Sequence, residues 1–276
     1  MKTYRELLHE GRVALTGGWI WRLFACVFVL NGVASLVGKT LSAYHDSRGI
    51  ITLGDYLKKT SEAAQQGIAY SLPNAEAVRS MFVATSFECF VWLLFTAIAL
   101  LGFAAIALRA CEKKDEAWFS SSLVGFRRPL GAFTLFFVMN LFVFLWSLLL
   151  LVPGLVALYR YRAAWYLKSE DPEQGALQCL GLSSRIMKGF KFQAFVLDLL
   201  FILLLIPAIL LGVVATCLVL AFENGLATFL FVPAFCWAFY VGFWAMTTRG
   251  AFYLSVKAAY DHDIRRDSRE DQVAHA

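Results

Sequence analysis

Charge is scarce in this 276-residue sequence: Asp, Glu, Lys and Arg make up 16% of it against 59% hydrophobic residues, whereas soluble globular chains run at about 25% and roughly 45–50%. That shortage excludes an ordinary soluble domain. Short catalytic motifs are missing as well. With no G-x-S-x-G, no H-E-x-x-H and no P-loop, a nucleophile elbow, zinc hydrolysis and nucleoside triphosphate chemistry all lose sequence support. Cys26, Cys89, Cys111, Cys179, Cys217 and Cys236 contain no C-x-x-C pair and lie mostly inside apolar runs. They read as small buried hydrophobes, not as a disulfide framework or zinc site. His9, His45, His262 and His275 fall in tails or loops, and Asp261-His262-Asp263 reads as a solvated triplet. The expectation is a protein without metal, cofactor or enzymatic activity.

What the sequence does have is length in its apolar runs. Mean hydropathy is +0.64, and the blocks Trp19–Gly38, Met81–Leu108, Gly131–Leu158, Phe192–Phe222 and Thr228–Thr248 each reach the ~20 residues needed to cross ~30 Å of hydrocarbon. Helices satisfy their own backbone there, so the expected class is an all-α polytopic membrane bundle. The first block carries Arg22 among Trp19, Ile20 and Trp21, where a snorkelling cation in an aromatic belt is the natural reading. Its only cleavage candidate is Leu41-Ser42-Ala43, so it reads as a retained span.

Net charge is +5, and the cations gather in Arg109–Arg128, Arg160–Lys191 and Arg249–Arg269, while Glu223–Ala227 has none. No base-stacking motif accompanies them, so no nucleic-acid partner is expected. The positive-inside rule puts the three basic segments and both termini on the cytoplasmic side of the membrane. An even number of crossings must then separate Arg128 from Lys168. The stretch 131–168 becomes two passes, or one pass plus a re-entrant piece, broken at Val152-Pro153-Gly154. The total is six spans, with five the alternative. The fourth is short, placing Arg160 and Arg162 inside protein. One membrane domain results: an interfacial helix over 1–16, two spans over 17–124 with an external loop 39–80 holding a short helix Tyr56–Ala69, a core over 125–256, and a polar tail over 257–276.

An internal repeat supports the count. "GFRRPLGAFTLFF", from Gly125, matches "GFKFQAFVLDLLFILLLIPAIL", from Gly189, and Arg162-Ala-Ala-Trp-Tyr-Leu167 matches Arg249-Gly-Ala-Phe-Tyr-Leu254. Two hairpins in one orientation are implied, with Trp19–Arg109 as a degenerate first copy.

The run "FLWSLLLLVPGLVALYRYRAAWYLKSEDPEQGALQCLGLSSRIMKGFKFQAFVLDLLF", with "VPAF" and "TTRGAFYLSV" after it, resembles the bacterial integral-membrane family of unknown function DUF975. The likeness rests on the LW–leucine–PG segment, the Y-x-Y element, the DP and the S-x-x-x-M-x-G-x-K signature, here Ser183 or Ser184, Met187, Gly189 and Lys191. It covers roughly Gly125 to Val256. The family is similar to the membrane portion of certain glycerophosphodiester phosphodiesterases without their catalytic barrel, so the resemblance implies a membrane module.

Ionisable groups at membrane depth are the candidate functional residues. Asp198 is expected to pair with Arg162 or Arg160, either as a pin fixing helix register or as part of a transport or proton path. Glu88 and Asn31 lie at matching depth on the first two spans and suggest a hydrogen bond. Asp171 as N-cap, Pro172 at the first position, Gln174 as capping-box partner and Gly189 as stop predict an amphipathic interfacial helix over 172–188. Arg185, Lys188 and Lys191 would face anionic lipid head groups or a membrane or cytoplasmic protein partner. The functional expectation is a non-enzymatic accessory or interaction module, the alternative a small transporter or permease for a lipid, peptide or small solute.

Overall fold

Long apolar sequence becomes long helix, and here helix continues well past the apolar blocks. A computed structural model describes residues 2–16, 18–47, 53–66, 75–112, 118–222 and 231–274. The elements are α1 (Tyr4–Ala14), α2 (Trp19–Ser47), α3 (Leu53–Gln65), α4 (Ala75–Glu112), α5 (Trp118–Ser122), α6 (Val124–Arg127), α7 (Pro129–Leu149), α8 (Leu151–Tyr161), α9 (Ala164–Glu170), α10 (Ala176–Ile186), α11 (Lys191–Phe222) and α12 (Phe231–Ala274). No strand occurs among the described residues. The fold is an all-α bundle in which α2, α4, α7, α11 and α12 are long and apolar enough to cross a membrane.

Several boundaries differ from the sequence reading. The external loop shrinks, because α2 runs on to Ser47 and α4 begins at Ala75, with α3 lying between; Pro73 and the link Glu223–Ala227 lie outside the described residues. The polar tail is not a tail. From Thr248 to Ala274 no proline interrupts the chain and the good helix formers Ala and Arg occur four times each, so α12 continues through it. Pro153, where the sequence predicts the break between two passes, interrupts no helix, and neither do Pro207 and Pro233. Pro153 and Pro233 occupy first turns, where a missing N–H is harmless, and α11 passes through Pro207 unbroken.

The core is built around α4. Its buried run Ala97, Leu101, Ala104, Ala107 and Ala110 is mostly alanine, which lets neighbouring backbones approach closely. α1 is held by α12. A reciprocal box starts it, Thr3 N–H donating to Glu6 Oε2 (2.7 Å) and Glu6 N–H to Thr3 Oγ1 (3.4 Å). Trp244 Nε1 then donates to Leu8 O (2.9 Å) and Thr247 Oγ1 to Gly11 O (2.8 Å). A Cβ at Gly11 would stand 2.8 Å from Thr248 Cα, so glycine permits the contact. The polar face of α1 stays exposed while its apolar face meets α12.

Candidate functional site

The site is assembled by a hairpin. Leu150 adopts an extended conformation (φ −167°, ψ 152°) between α7 and α8, so the chain reverses there and not at Val152-Pro153-Gly154. Gly154 has another task. A Cβ on it would fall 2.1 Å from Ser147 Oγ and 3.0 Å from Ser147 Cα, so glycine lets the two arms touch beside their tip. Farther along, Phe142 meets Tyr161 (6.0 Å between ring centroids), Phe136 meets Trp165 (6.3 Å), and Gly131 approaches Lys168. α8 and α9 therefore retrace α7 almost to its first turn. The turn at Arg162–Ala163 splits this return into pieces of eleven and seven residues, too short individually to count as spanning helices.

At that turn Arg162 reaches Asp198 of α11. Nη1 donates to Oδ2 (2.5 Å) and Nη2 to Oδ1 (2.8 Å), a bidentate pair with side chains 19% and 15% exposed. The expected Asp198–Arg162 partnership is present. Arg160 takes no part: its Nε donates to Ser184 Oγ (2.6 Å), and its carbonyl accepts from Ser183 Oγ (2.9 Å). Two further groups complete the cluster. Tyr159 donates its hydroxyl to Asp198 Oδ2 (3.2 Å), and Arg249 of α12 donates from Nε to Oδ1 (3.1 Å). One carboxylate thus carries two guanidinium groups.

Arg249 was not foreseen in this role, although the hexapeptide match contained it, since Arg162 and Arg249 are equivalent positions. The equivalence continues at four-residue steps. Tyr166 stacks on Tyr253, centroids 4.9 Å apart and planes at 19°; four residues on, Lys257 donates to Glu170 Oε2 (2.5 Å), which also accepts from Tyr253 (2.9 Å). Residues 162–170 and 249–257 therefore lie side by side, parallel and in register. α9 lies outside the five spanning helices, and burial pushes the Tyr166 hydroxyl up to about 12.

Behind this ladder, buried Lys168 organises the loop that follows. Its Nζ donates to the carbonyls of Pro172 (2.7 Å) and Gln174 (2.5 Å). Turning those carbonyls towards an ammonium is incompatible with a helix there, so α10 starts at Ala176, four residues later than expected. Asp171 caps a turn instead, accepting from Glu173 N–H (3.0 Å), and Gln178 Oε1 receives Gly175 N–H (3.3 Å) at the real helix start. At the other end α10 stops at Ile186, two residues short of the expected 188, and Gly189 takes the left-handed φ of +86°. Cys179 is buried against Gln174, and that burial pushes its thiol up. The S-x-x-x-M-x-G-x-K pattern now has physical content. Ser183 holds the Arg160 carbonyl, Met187 is buried, Gly189 makes the left-handed turn and Lys191 opens α11.

Of the remaining candidates, Glu88 Oε1 lies 3.1 Å from Nδ1 of buried His45. His45 is therefore not a loop residue; it sits in the extension of α2 that hydropathy missed. The Asn31 side chain lies outside the described residues. Arg185 and Lys188 are exposed and Lys191 half-buried, and none makes a side-chain hydrogen bond or ion pair among the described residues. Cys89, Cys217 and Cys236 are exposed, contrary to the reading of buried hydrophobes. No group of three His, Cys, Asp or Glu side chains able to hold a metal occurs among the described residues.

Residues 148–260 match the family model DUF975, described as a protein of unknown function. The match begins at the hairpin tip and ends past the ladder, so it contains Arg162, Asp198, Arg249 and all of α10, and leaves out most of α7. No curated protein and no solved structure matches the chain. The likeness to phosphodiesterase membrane regions has no counterpart in these comparisons.

Proposed function

We propose that this is a multi-pass protein of the bacterial cytoplasmic membrane that works as a non-enzymatic accessory or interaction module and docks through the face carrying Arg185, Lys188 and Lys191. The division of its cations supports this reading. Arg162, Arg249, Lys168 and Lys257 are committed to internal partners, whereas those three are left for something outside the chain. Their sign, shared with Arg109 and Arg265, favours a cytoplasmic position for this face. Six crossings follow if the broken arm α8–α9 counts as a pass. Labelling a Cys-free Leu150→Cys variant with a membrane-impermeant maleimide is expected to succeed from outside the cell. Labelling only from the cytoplasm sinks the six-crossing topology.

A second reading, a small transporter or permease for a lipid, peptide or small solute, draws on Asp198. A charge cluster between two repeat-related arms is where repeat-built transporters place their sites. Affinity purification in mild detergent followed by mass spectrometry separates the two. A stoichiometric protein partner supports the module; a protein purified alone, whose loss alters resistance to a solute or peptide, supports transport.

A further inference from the structure

Where α2 ends and α4 begins, the two helices leave between them a cavity of about 730 Å³, within the roughly 300–1,000 Å³ of small-molecule sites. Its polar lining is Tyr44 and His45 of α2 with Glu76, Arg79 and Ser80 of α4. Three of these are already engaged. Nδ1 of buried His45 meets Glu88 Oε1 at 3.1 Å, and Tyr44 and Ser80 have contacts within the chain. Glu76 and Arg79 are exposed, and neither has a hydrogen bond or an ion pair among the described residues. They stand three apart on one helix, where opposite charges lie about 5–6 Å apart at Cβ and ordinarily pair. Two charges of opposite sign therefore line one cavity and are left open together.

The rest of the wall narrows the chemistry of an occupant. Arg79, Val83 and Phe87 are spaced four apart and share one face of α4. Val83 and Phe87 also line the cavity and are 66% and 53% exposed. The apolar run of α4 begins at Met81, so the two charges stand at its polar edge and the two apolar side chains just inside it. A net anion would meet Glu76, and a net cation would meet Arg79. A soluble zwitterion would leave Val83 and Phe87 uncovered. A zwitterion carrying an acyl chain satisfies all four: Arg79 takes a phosphate through paired N–H donors, Glu76 takes a primary ammonium two methylenes away, and the chain covers Val83 and Phe87. A quaternary ammonium has no N–H to give Glu76.

We infer that the cavity between the end of α2 and the start of α4 binds one aminophospholipid, its phosphate on Arg79, its ammonium on Glu76 and an acyl chain along Val83 and Phe87. The leaflet rests on the orientation proposed above, which puts this end of both helices outside and hence the lipid in the outer leaflet. The site is separate from the basic face of Arg185, Lys188 and Lys191 and from any protein docked there. Because neither Glu76 nor Arg79 has a partner among the described residues, Glu76→Gln and Arg79→Gln leave the fold intact.

The test is native mass spectrometry of the full-length protein, delipidated in detergent and titrated with phosphatidylethanolamine, phosphatidylglycerol, phosphatidylcholine or glycerophosphoethanolamine, the head group without chains. The expected result is one retained phosphatidylethanolamine, at several-fold higher occupancy than either other lipid. Arg79→Gln should lower that retention about tenfold, the worth of one charged hydrogen bond, and Glu76→Gln should bring phosphatidylglycerol level with phosphatidylethanolamine. Equal occupancy by the three lipids, unchanged retention in Arg79→Gln, an unchanged preference in Glu76→Gln, or displacement of the lipid by millimolar glycerophosphoethanolamine each overturns the proposal. Labelling a Cys-free Glu76→Cys variant in whole cells with an impermeant maleimide keeps the two readings apart. Reaction only from the cytoplasm means that the orientation is wrong, while the detergent measurements still decide the lipid site; reaction from outside with equal lipid occupancy means that the lipid site alone fails.

Discussion

In one arm of the molecule Arg162, Tyr166 and Glu170 lie on a short helix interrupted by a turn; in the other Arg249, Tyr253 and Lys257 lie on an unbroken helix of 44 residues. Equivalent positions meet one another, yet they do different work. The turn at Arg162–Ala163 aims the first guanidinium squarely at Asp198, giving two parallel hydrogen bonds. The straight helix brings Arg249 in from the side, both its nitrogens on a single oxygen, with its side chain 40% exposed. Four residues on, identical tyrosines stack, and eight residues on, the sequence changes sign so that Glu170 and Lys257 attract. Had both copies kept one residue type there, like charges would have met. Asp198 itself has no twin, because in the register that pairs Ala132-Phe133 with Ala194-Phe195 its counterpart is Phe136, which meets Trp165 (6.3 Å between ring centroids). Two arms of similar sequence are thus joined by acids that each occur in one arm only.

The most damaging way to break the comparison is to remove the shared acid. Asp198→Asn keeps the shape of the side chain and leaves two arginines around a neutral amide, and loss of one partner from a buried ion pair costs about 3 kcal/mol or more. Thermal unfolding in detergent, followed by tryptophan fluorescence, should show a large downward shift. An unchanged midpoint would mean that the pin carries no stability.

Next in size is the hairpin tip of the first arm. Gly154→Ala drives a methyl into Ser147 Oγ, and overpacking of this kind costs about 1–3 kcal/mol. The double variant Ser147→Gly with Gly154→Ala should recover much of the loss in the same melt. If Gly154→Ala melts like the parent sequence, the two arms do not touch there.

The two arginines then test the asymmetry directly. Arg162→Lys forfeits a bidentate geometry that an ammonium cannot reproduce, at about 1.5 kcal/mol, the lower end for one charged hydrogen bond. Arg249→Lys alters a more exposed pair and should cost well under 1 kcal/mol. Equal shifts, or a larger one for Arg249, would reverse the ranking read from the geometry.

Much of this cluster was legible beforehand, and the part that was not has identifiable causes. Counting residues from the nearest polar boundary put Asp198 and Arg162 at one depth, because charge cost in hydrocarbon is steep enough to make depth readable. Arg249 is not legible as a partner, because a hexapeptide match fixes the orientation of two segments and says nothing about whether they face each other. Lys168 and His45 escaped for opposite reasons. Lys168 looked like the end of a span, yet it is buried by carbonyls that no composition rule reveals. His45 followed the last apolar residue of its block, but helix hydrogen bonds do not stop where hydropathy does. The start of α10 was misplaced by four residues because Asp-Pro satisfies the local capping rules, and only the tertiary demand of Lys168 for the carbonyls of Pro172 and Gln174 overrides them.

The smallest expected effect concerns the tyrosine stack, where the two arms are most alike. Burial raises the Tyr166 hydroxyl from its ordinary value of 10 to about 12, so the folded state holds this proton more tightly than the unfolded chain does. The stability linked to it is therefore complete below pH 10 and declines as pH rises from 10 through about 12, because only the unfolded state releases the proton freely there. Alkaline pH acts on the whole protein, so the useful quantity is a difference. Tyr166→Phe keeps the ring against Tyr253 and has no proton to lose. Its melting midpoint should fall less steeply than that of the parent protein between pH 10 and 12, while the two differ by a constant amount below pH 9. Parallel curves across the whole range would mean that Tyr166 ionises as freely in the folded protein as in water, and hence that the stack does not close the ladder between the arms.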